Sequence, residues 1–215
     1  MSILSKKFVW GIFLIVVVAW LLLRDWNPGR RELEKSQLAL LSVRSWHVKA
    51  VNATPGLDLQ TEDDVSCPDF HSIITNTAVP ENPSVQEVLF VGSTAFRKVN
   101  GSKWVSVPRR QVGRACSDGP LIETKPLIAT IVEMQTEAHL KNVGTADSNG
   151  VSCRRWEISL LRGSMSRLPA GFICIDETSH LPLEIQNREG RVVYQFSNWN
   201  APIKIEQPLD SEIVQ

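Results

Sequence analysis

The sequence has no excess of charge of either sign. Its 215 residues include 23 Lys or Arg and 23 Asp or Glu side chains, so the formal net charge is zero. A nucleic-acid-binding protein needs a basic surface that neutralises phosphates, and a polybasic segment on an anionic membrane needs the same charge. The balance therefore argues against both classes, and we expect no nucleic-acid partner.

Motifs for catalysis and for cofactor binding are also missing. The sequence has no Gly-x-Ser-x-Gly elbow, no phosphate-binding loop and no Gly-x-Gly-x-x-Gly fingerprint. The four histidines, His47, His71, His139 and His180, fall in unrelated segments, and the acidic run 62–64 is typical of a solvated loop. We therefore expect no enzymatic activity, no metal site and no cofactor.

One long hydrophobic run lies near the N-terminus. Residues 8–23 read FVWGIFLIVVVAWLLL, and as a helix they would span about 24 Å of a bilayer core of about 30 Å. A cleaved signal peptide is the alternative, but the run ends Trp-Leu-Leu-Leu-Arg and offers no small-residue cleavage site. We predict an uncleaved single-pass anchor at residues 8–24, with a cytoplasmic tail at residues 1–7.

Four cysteines follow the predicted anchor. In an oxidising compartment an even number of cysteines indicates disulfides, and four cysteines allow three pairings. Their wide spacings do not suit a zinc site, which uses close Cys or His pairs. We predict that Cys153 pairs with Cys174 across neighbouring strands and that Cys67 pairs with Cys116.

The rest of the chain reads as short strands with two helices. Periodicity predicts an amphipathic helix over 30–43, a short helix over 126–134, and nine or ten strands. Asn100-Gly101 and Asn149-Gly150 mark hairpin turns, whereas residues 58–66 read as an acidic loop. The predicted organisation is a linker at 25–32, one domain at 33–208 and a C-terminal tail at 209–215. This order indicates an α+β fold with an antiparallel sheet.

Several strands are apolar on both faces, as in the stretch FICID at 172–176. An antiparallel sheet with one solvated face should instead alternate apolar and polar residues. A sheet curved around helices could leave the additional apolar surface as a cavity. An ordinary packed core is the alternative, and periodicity alone does not distinguish the two.

Two stretches resemble the lipoprotein-carrier-like superfamily of bacterial envelopes, which includes LolA, LolB and the mycobacterial lipid-binding lipoproteins. The first is EVLFVGSTAFRKVNGSKWVSVP at 87–108, and the second is the closing segment after the turn DETSHLP at 176–182. The matching residues are Val91-Gly92, Phe96, Gly101, Trp104, Asp176, Thr178, Leu181-Pro182, Tyr194, Phe196, Trp199-Asn200, Pro202, Ile205 and Pro208. The resemblance covers residues 33–208.

The resemblance implies a strongly curved, incomplete antiparallel β-barrel wrapped around helices, here preceded by one transmembrane helix. In the superfamily, the cavity between sheet and helices takes acyl chains of lipids or lipoproteins. The residues expected to line it are Trp46, Phe90, Phe96, Trp104, Trp156, Phe172, Tyr194 and Phe196.

The function that follows from the resemblance is binding of an amphiphile. We expect a single-pass protein of the bacterial inner membrane, with its C-terminal domain in the periplasm, that holds a lipid or an acylated lipoprotein for transfer within the envelope. The alternative is a non-enzymatic interaction or sensing module with the same fold and a filled core, whose partner is an envelope protein.

Overall fold

The computed structural model describes residues 27–52, 58–78, 83–108, 124–162 and 170–214 of the chain. The elements in these ranges are α1 (Pro28–Leu41), β1 (Ser45–Asn52), β2 (Leu59–Ser66), β3 (Asp69–Asn76), β4 (Ser84–Val91), β5 (Thr94–Val99), β6 (Val105–Pro108), α2 (Thr124–Glu137), β7 (Ala138–Ser148), β8 (Val151–Leu160), β9 (Gly171–Asp176), β10 (Pro182–Asn187), β11 (Val192–Ser197) and a 3₁₀ turn (Asp210–Glu212). The predicted anchor and cytoplasmic tail lie outside them. No helix in the described ranges is long and apolar enough to cross a membrane.

The strands form one antiparallel sheet with the order β6-β5-β4-β3-β2-β1-β11-β10-β9-β8-β7. Two series of hairpin-connected strands, β1 to β6 and β7 to β11, meet where β1 pairs with β11. The sheet begins at β6 and ends at β7 in the described residues, and therefore has the open edges of an incomplete barrel. The predicted antiparallel architecture with helical packing is confirmed at this level.

A two-residue Asn-Gly turn joins β7 to β8. Ser148 lies opposite Val151 in the ladder, and Asn149 and Gly150 have φ values of 54° and 80°. A type I′ turn requires positive φ at both central residues, and Asn and Gly tolerate that conformation best. The hairpin predicted from this dipeptide is therefore present.

The segment 58–66, predicted to be an acidic loop, contains strand β2 instead. Its residues pair with β1 on one side and with β3 on the other along the whole strand. The Ser72 hydroxyl donates to Asp63 Oδ1 at 2.5 Å, and a 2.7 Å contact joins His47 Nδ1 to Asp64 Oδ1. The acidic side chains thus find partners on the neighbouring strands, so their charge does not prevent strand formation.

Helix α1 begins earlier than the sequence indicated, inside the predicted linker. The Asn27 side chain accepts hydrogen bonds from the backbone N–H groups of Gly29 and Arg30 at 3.1 and 3.2 Å, which is a standard N-cap arrangement with Pro at the first helical position. Gly29 lies so close to β7 that an added Cβ would be 2.5 Å from Leu140 Cβ. The first turn therefore packs directly on the sheet.

The two helices cover one face of the sheet, which we call the inner face. Leu33 and Leu40 of α1 and Ile131 and Met134 of α2 are completely buried. They share a core with inner-face side chains such as Trp156. Leu38 and Leu41 of the same helix are 68% and 39% exposed, so not all leucines of this amphipathic helix face the core. Burial of this apolar cluster is the main stabilisation of the fold.

The segment after β11 crosses to the opposite, outer face. Asn200 and Ala201 hydrogen-bond to β1 and to the residue before it, at 2.7 to 2.8 Å. Farther on, the N–H of Trp104 donates to the carbonyl of Glu212, and the N–H of Val214 donates to the carbonyl of Trp104, both at 2.8 Å. The residues after 208, predicted to be a tail beyond the domain, therefore pair with the sheet through residue 214.

Candidate ligand-binding pocket

A cavity of about 360 Å³ lies between the inner face of the sheet and helix α2. Its volume is within the range of about 300–1,000 Å³ that is usual for small-molecule sites. The residues around it are Trp46, Val48, Ala50, Thr61, Asp63, Val65, Phe70, Leu127, Thr130, Ile185, Tyr194 and Phe196. Most of this surface is apolar, which suits a hydrocarbon chain better than a polar metabolite.

Strand alternation places three residues each of β1 and β2 on the cavity wall. Trp46, Val48 and Ala50 of β1 lie opposite Val65, Asp63 and Thr61 of β2. Residues two apart point to the same face of a strand. The small Ala50 and Thr61 pair leaves space that larger side chains would fill.

Aromatic rings form the wall around the β1–β11 junction. The rings of Tyr194 and Phe196 are stacked with centroids 6.2 Å apart, and Trp199 lies 5.5 Å from both Phe196 and Trp46. Such arrangements are favourable beyond the area that they bury. They make the wall apolar at this point.

Helix α2 covers the cavity from the other side. Leu127 and Thr130 contribute to the wall, while Ile131 and Met134 anchor the same helix in the core. Gln135 of α2 also donates to Gln37 of α1 at 3.0 Å. The helix is therefore held both by the sheet and by α1, and it limits the width of the cavity.

Asp63 is the one carboxylate among the described residues of the cavity wall. Burial raises the pKa of Asp63 above its usual range, and this effect exceeds the opposing effects of the Ser72 hydrogen bond and of nearby His47. Desolvation disfavours the charged form of a carboxyl group. A polar group with a perturbed pKa in an apolar cavity is typical of a binding site.

The structure brings three of the eight predicted lining residues to this cavity, namely Trp46, Tyr194 and Phe196. Phe90 packs against Phe70, a lining residue, with ring centroids 5.9 Å apart. Trp156 is 1% exposed and belongs to the core beneath the helices. These two residues are on the helical side of the sheet but do not border the cavity.

Three of the predicted residues lie on the outer face instead. Phe96 is opposite Leu89 in the ladder, and both pack with Trp104 in a separate outer cluster that includes Ile205 and Ile213. Phe172 lies beneath the guanidinium of Arg155, 4.0 Å from the ring centroid. Both faces of this sheet bury aromatic side chains, so residue type alone did not show which face of its strand each aromatic residue occupies.

Nine further residues of the cavity wall were not predicted from the sequence, namely Val48, Ala50, Thr61, Asp63, Val65, Phe70, Leu127, Thr130 and Ile185. The alternation of β1 indicates Val48 and Ala50 as wall residues, because they lie two and four positions after Trp46 and therefore point to the same face of the strand. The β2 residues were not considered because their segment was read as a loop. Thr130 and Leu127 come from a helix whose facing residues could not be identified without the sheet.

The disulfide between Cys153 and Cys174 is present, with a Cα–Cα distance of 5.6 Å. It joins the neighbouring strands β8 and β9, as predicted, and packs with Leu183. Cys67 is also disulfide-bonded, but its predicted partner Cys116 lies outside the described residues. Within the described ranges, no group of three or more His, Cys, Asp or Glu side chains is placed to hold a metal ion.

No protein-family model matches the chain, and no curated protein has significant similarity to it. Solved structures do match. LprF from Mycobacterium bovis is 19% identical with a TM-score of 0.56, over 84% of this chain and 96% of LprF. The Mycobacterium tuberculosis lipoprotein LppX is 16% identical with a TM-score of 0.50, over 83% of this chain and 98% of LppX. The chain therefore has the fold of these proteins, in agreement with the predicted resemblance.

Proposed function

We propose that this chain, which has the fold of the mycobacterial proteins LprF and LppX, binds the acyl chain of a lipid or lipoprotein in its inner-face cavity. The observation that supports the proposal most directly is the apolar wall of that cavity, which is built from aromatic and aliphatic side chains of β1, β11 and α2. The shared fold supports the same function, since the superfamily to which the motifs point uses this space for acyl chains.

The proposal includes a location at the outer surface of the bacterial inner membrane. The predicted anchor ends at residue 24, and α1 begins at Pro28 with its cap at Asn27. Three or four extended residues span at most about 14 Å, so the anchor would keep the domain next to the bilayer. A short tether suits the exchange of an acyl chain between membrane and cavity, and it supports local transfer of lipids or lipoproteins within the envelope.

Burial of hydrocarbon supplies enough free energy for such binding. Each buried CH₂ contributes about 0.8 kcal/mol, so a sixteen-carbon chain contributes roughly 13 kcal/mol. Association costs at least about 4–5 kcal/mol in lost freedom. The remaining ~8 kcal/mol corresponds to micromolar affinity, which requires that nearly the whole chain be buried.

Lipid extraction from the purified full chain tests the proposal. We expect mass spectrometry to find an acyl-containing lipid at close to one molecule per chain, and Ala50→Phe to reduce that yield severalfold by filling the cavity. Val51→Phe is the matched control, because Val51 is the next residue of β1, lies on the outer face and is 42% exposed.

Two results would contradict the proposal. One is the absence of lipid from the wild-type chain together with no labelling by a photoreactive fatty-acyl probe. The other is equal lipid yield from the Ala50→Phe and Val51→Phe variants. Either result would favour the alternative, an interaction module that does not use the cavity.

A further inference from the structure

The cavity wall has an uneven distribution of polar groups. The twelve lining residues that the structure describes include one carboxylate and no Lys, Arg or His. Three hydroxyl side chains, of Thr61, Thr130 and Tyr194, also border the cavity, as does Trp46, whose buried indole N–H has no hydrogen-bond partner among the described residues. An anionic head group that entered this cavity would therefore meet a negative charge and no cation from the described lining residues.

Asp63 also has unused hydrogen-bonding capacity. Its Oδ1 accepts from the Ser72 hydroxyl at 2.5 Å, whereas no side chain of the described residues donates to Oδ2. An ionised carboxylate has about four acceptor positions. The ladder places Asp63 between Val48 and Ser72, so the carboxylate is fixed in the middle of the wall and is not at the end of a strand.

Building on the proposed function, the geometry points to Asp63 as the polar anchor of the cavity, which accepts a hydrogen bond from a hydroxyl group of the bound amphiphile. The preferred ligand is then a long-chain alcohol or a hydroxylated lipid, and a fatty carboxylate is disfavoured. The carboxylate of Asp63 supplies the acceptor, the ligand supplies the O–H, and Ser72 holds Asp63 in place.

Physical chemistry gives the size of the preference. A hydrogen bond to a charged acceptor that is already partly desolvated is stronger than one between neutral groups. Two carboxylates that share a site cannot both ionise without a large mutual penalty. The alcohol should therefore bind at least about tenfold more tightly than the fatty acid of equal length at neutral pH. Its methyl ether, which has no donor, should bind about tenfold less tightly than the alcohol.

The test uses the full chain in lipid nanodiscs and photoreactive diazirine forms of three probes, namely hexadecanol, its methyl ether and palmitate. We expect Asp63→Asn to reduce the labelling ratio of alcohol to acid to within about threefold of unity. Asp64→Asn is the matched control, since Asp64 is the next residue of β2, lies on the outer face and contacts His47 there, and it should leave the ratio unchanged. Partitioning into the disc is the same for all variants, so ratios between variants report on the cavity alone.

Several outcomes would overturn the anchor. One is that palmitate labels the wild type as strongly as hexadecanol does. Another is that the ether labels it as strongly as the alcohol, and a third is that Asp63→Asn leaves the ratio of alcohol to acid labelling unchanged. Strong labelling by all three probes would leave the proposed function standing and remove only the anchor. Labelling by none would remove both. The comparison of alcohol with ether in the wild type, corrected for the amount of each probe in the disc, needs no variant, so equal labelling would overturn the anchor even if Asp63→Asn does not fold.

Discussion

Phe96 and Tyr194 lie on opposite faces of the sheet, so their substitution should have different effects on stability and on lipid binding. Phe96 is 2% exposed in the outer cluster with Leu89 and Trp104, whereas Tyr194 is 42% exposed and borders the inner cavity. Phe96→Ala should therefore destabilise the protein without weakening lipid binding. Tyr194→Ala should weaken lipid binding at a smaller cost in stability.

The magnitudes follow from burial. Truncation of a fully buried Phe costs about 3–5 kcal/mol in the free energy of unfolding. At about 2–4 °C per kcal/mol for a domain of this size, the melting temperature should fall by roughly 6–20 °C. Tyr194 is only partly buried, so its truncation should cost about 1–2 kcal/mol in stability. Loss of its ring contacts with a bound chain should reduce affinity about tenfold.

The assay combines thermal melting, followed by circular dichroism, with photolabelling by a fatty-acyl probe at a temperature where each variant is folded. Phe96→Leu provides a milder version, with an expected cost under about 1.5 kcal/mol, should the alanine variant not fold. Loss of labelling in a folded Phe96 variant, or full labelling of Tyr194→Ala, would refute the assignment of the cavity to the inner face.

Three further predictions concern the ligand, the half-buried carboxylate of Asp63 and the first turn of α1. Each CH₂ removed from an acyl ligand should lower affinity about fourfold, so the change from sixteen to twelve carbons should cost about 200-fold in a competition assay; a flat dependence would contradict burial of the chain. The raised pKa of Asp63 means that the folded protein favours the protonated form of this carboxyl group. Its contribution to the free energy of unfolding is therefore fully present below the ordinary pKa of a carboxyl group, and it is lost as pH rises through the folded-state pKa. Asp63→Asn should therefore raise the urea midpoint at pH 7.5 and have little effect near pH 3.5, and a lower midpoint at pH 7.5 would contradict the reasoning. Gly29→Ala should cost about 1–3 kcal/mol in chemical denaturation, because the added Cβ would overlap Leu140; an unchanged midpoint would show that α1 can move away from β7 at no cost.

Short-range signals in the sequence predicted much of the fold. The Asn149-Gly150 turn, with its positive φ values, is a local feature that does not depend on the rest of the chain. The pairing of Cys153 with Cys174 follows from two strands that are neighbours in the sheet. Both features involve residues that are close in sequence or on adjacent strands, where local pattern carries enough information.

Features that depend on distant parts of the chain could not be predicted in the same way. Strand β2 has acidic residues that resemble a loop, and its partners Ser72 and His47 become visible only when three strands are assembled. The same limit applies to the outer cluster. Ile205 and Ile213 cover Phe96 and Trp104, and periodicity does not show that a closing segment will return across the sheet.

Asp63 lies on β2, in the segment that the sequence pattern indicated as a loop, and it is also the residue on which the proposed ligand preference depends. A valine at this position would continue the apolar wall formed by Val48 and Val65, and it would avoid the desolvation that raises the pKa of the carboxyl group. Local rules of packing and charge are broken most often where a site has a task other than stability. A hydroxylated ligand would give the half-buried carboxylate a hydrogen-bond donor in addition to Ser72, so the same residue that weakens the unliganded fold would strengthen the complex. Lipid binding should therefore raise the melting temperature of the wild type more than that of Asp63→Asn, and an equal rise in both would separate the cost of Asp63 from ligand recognition.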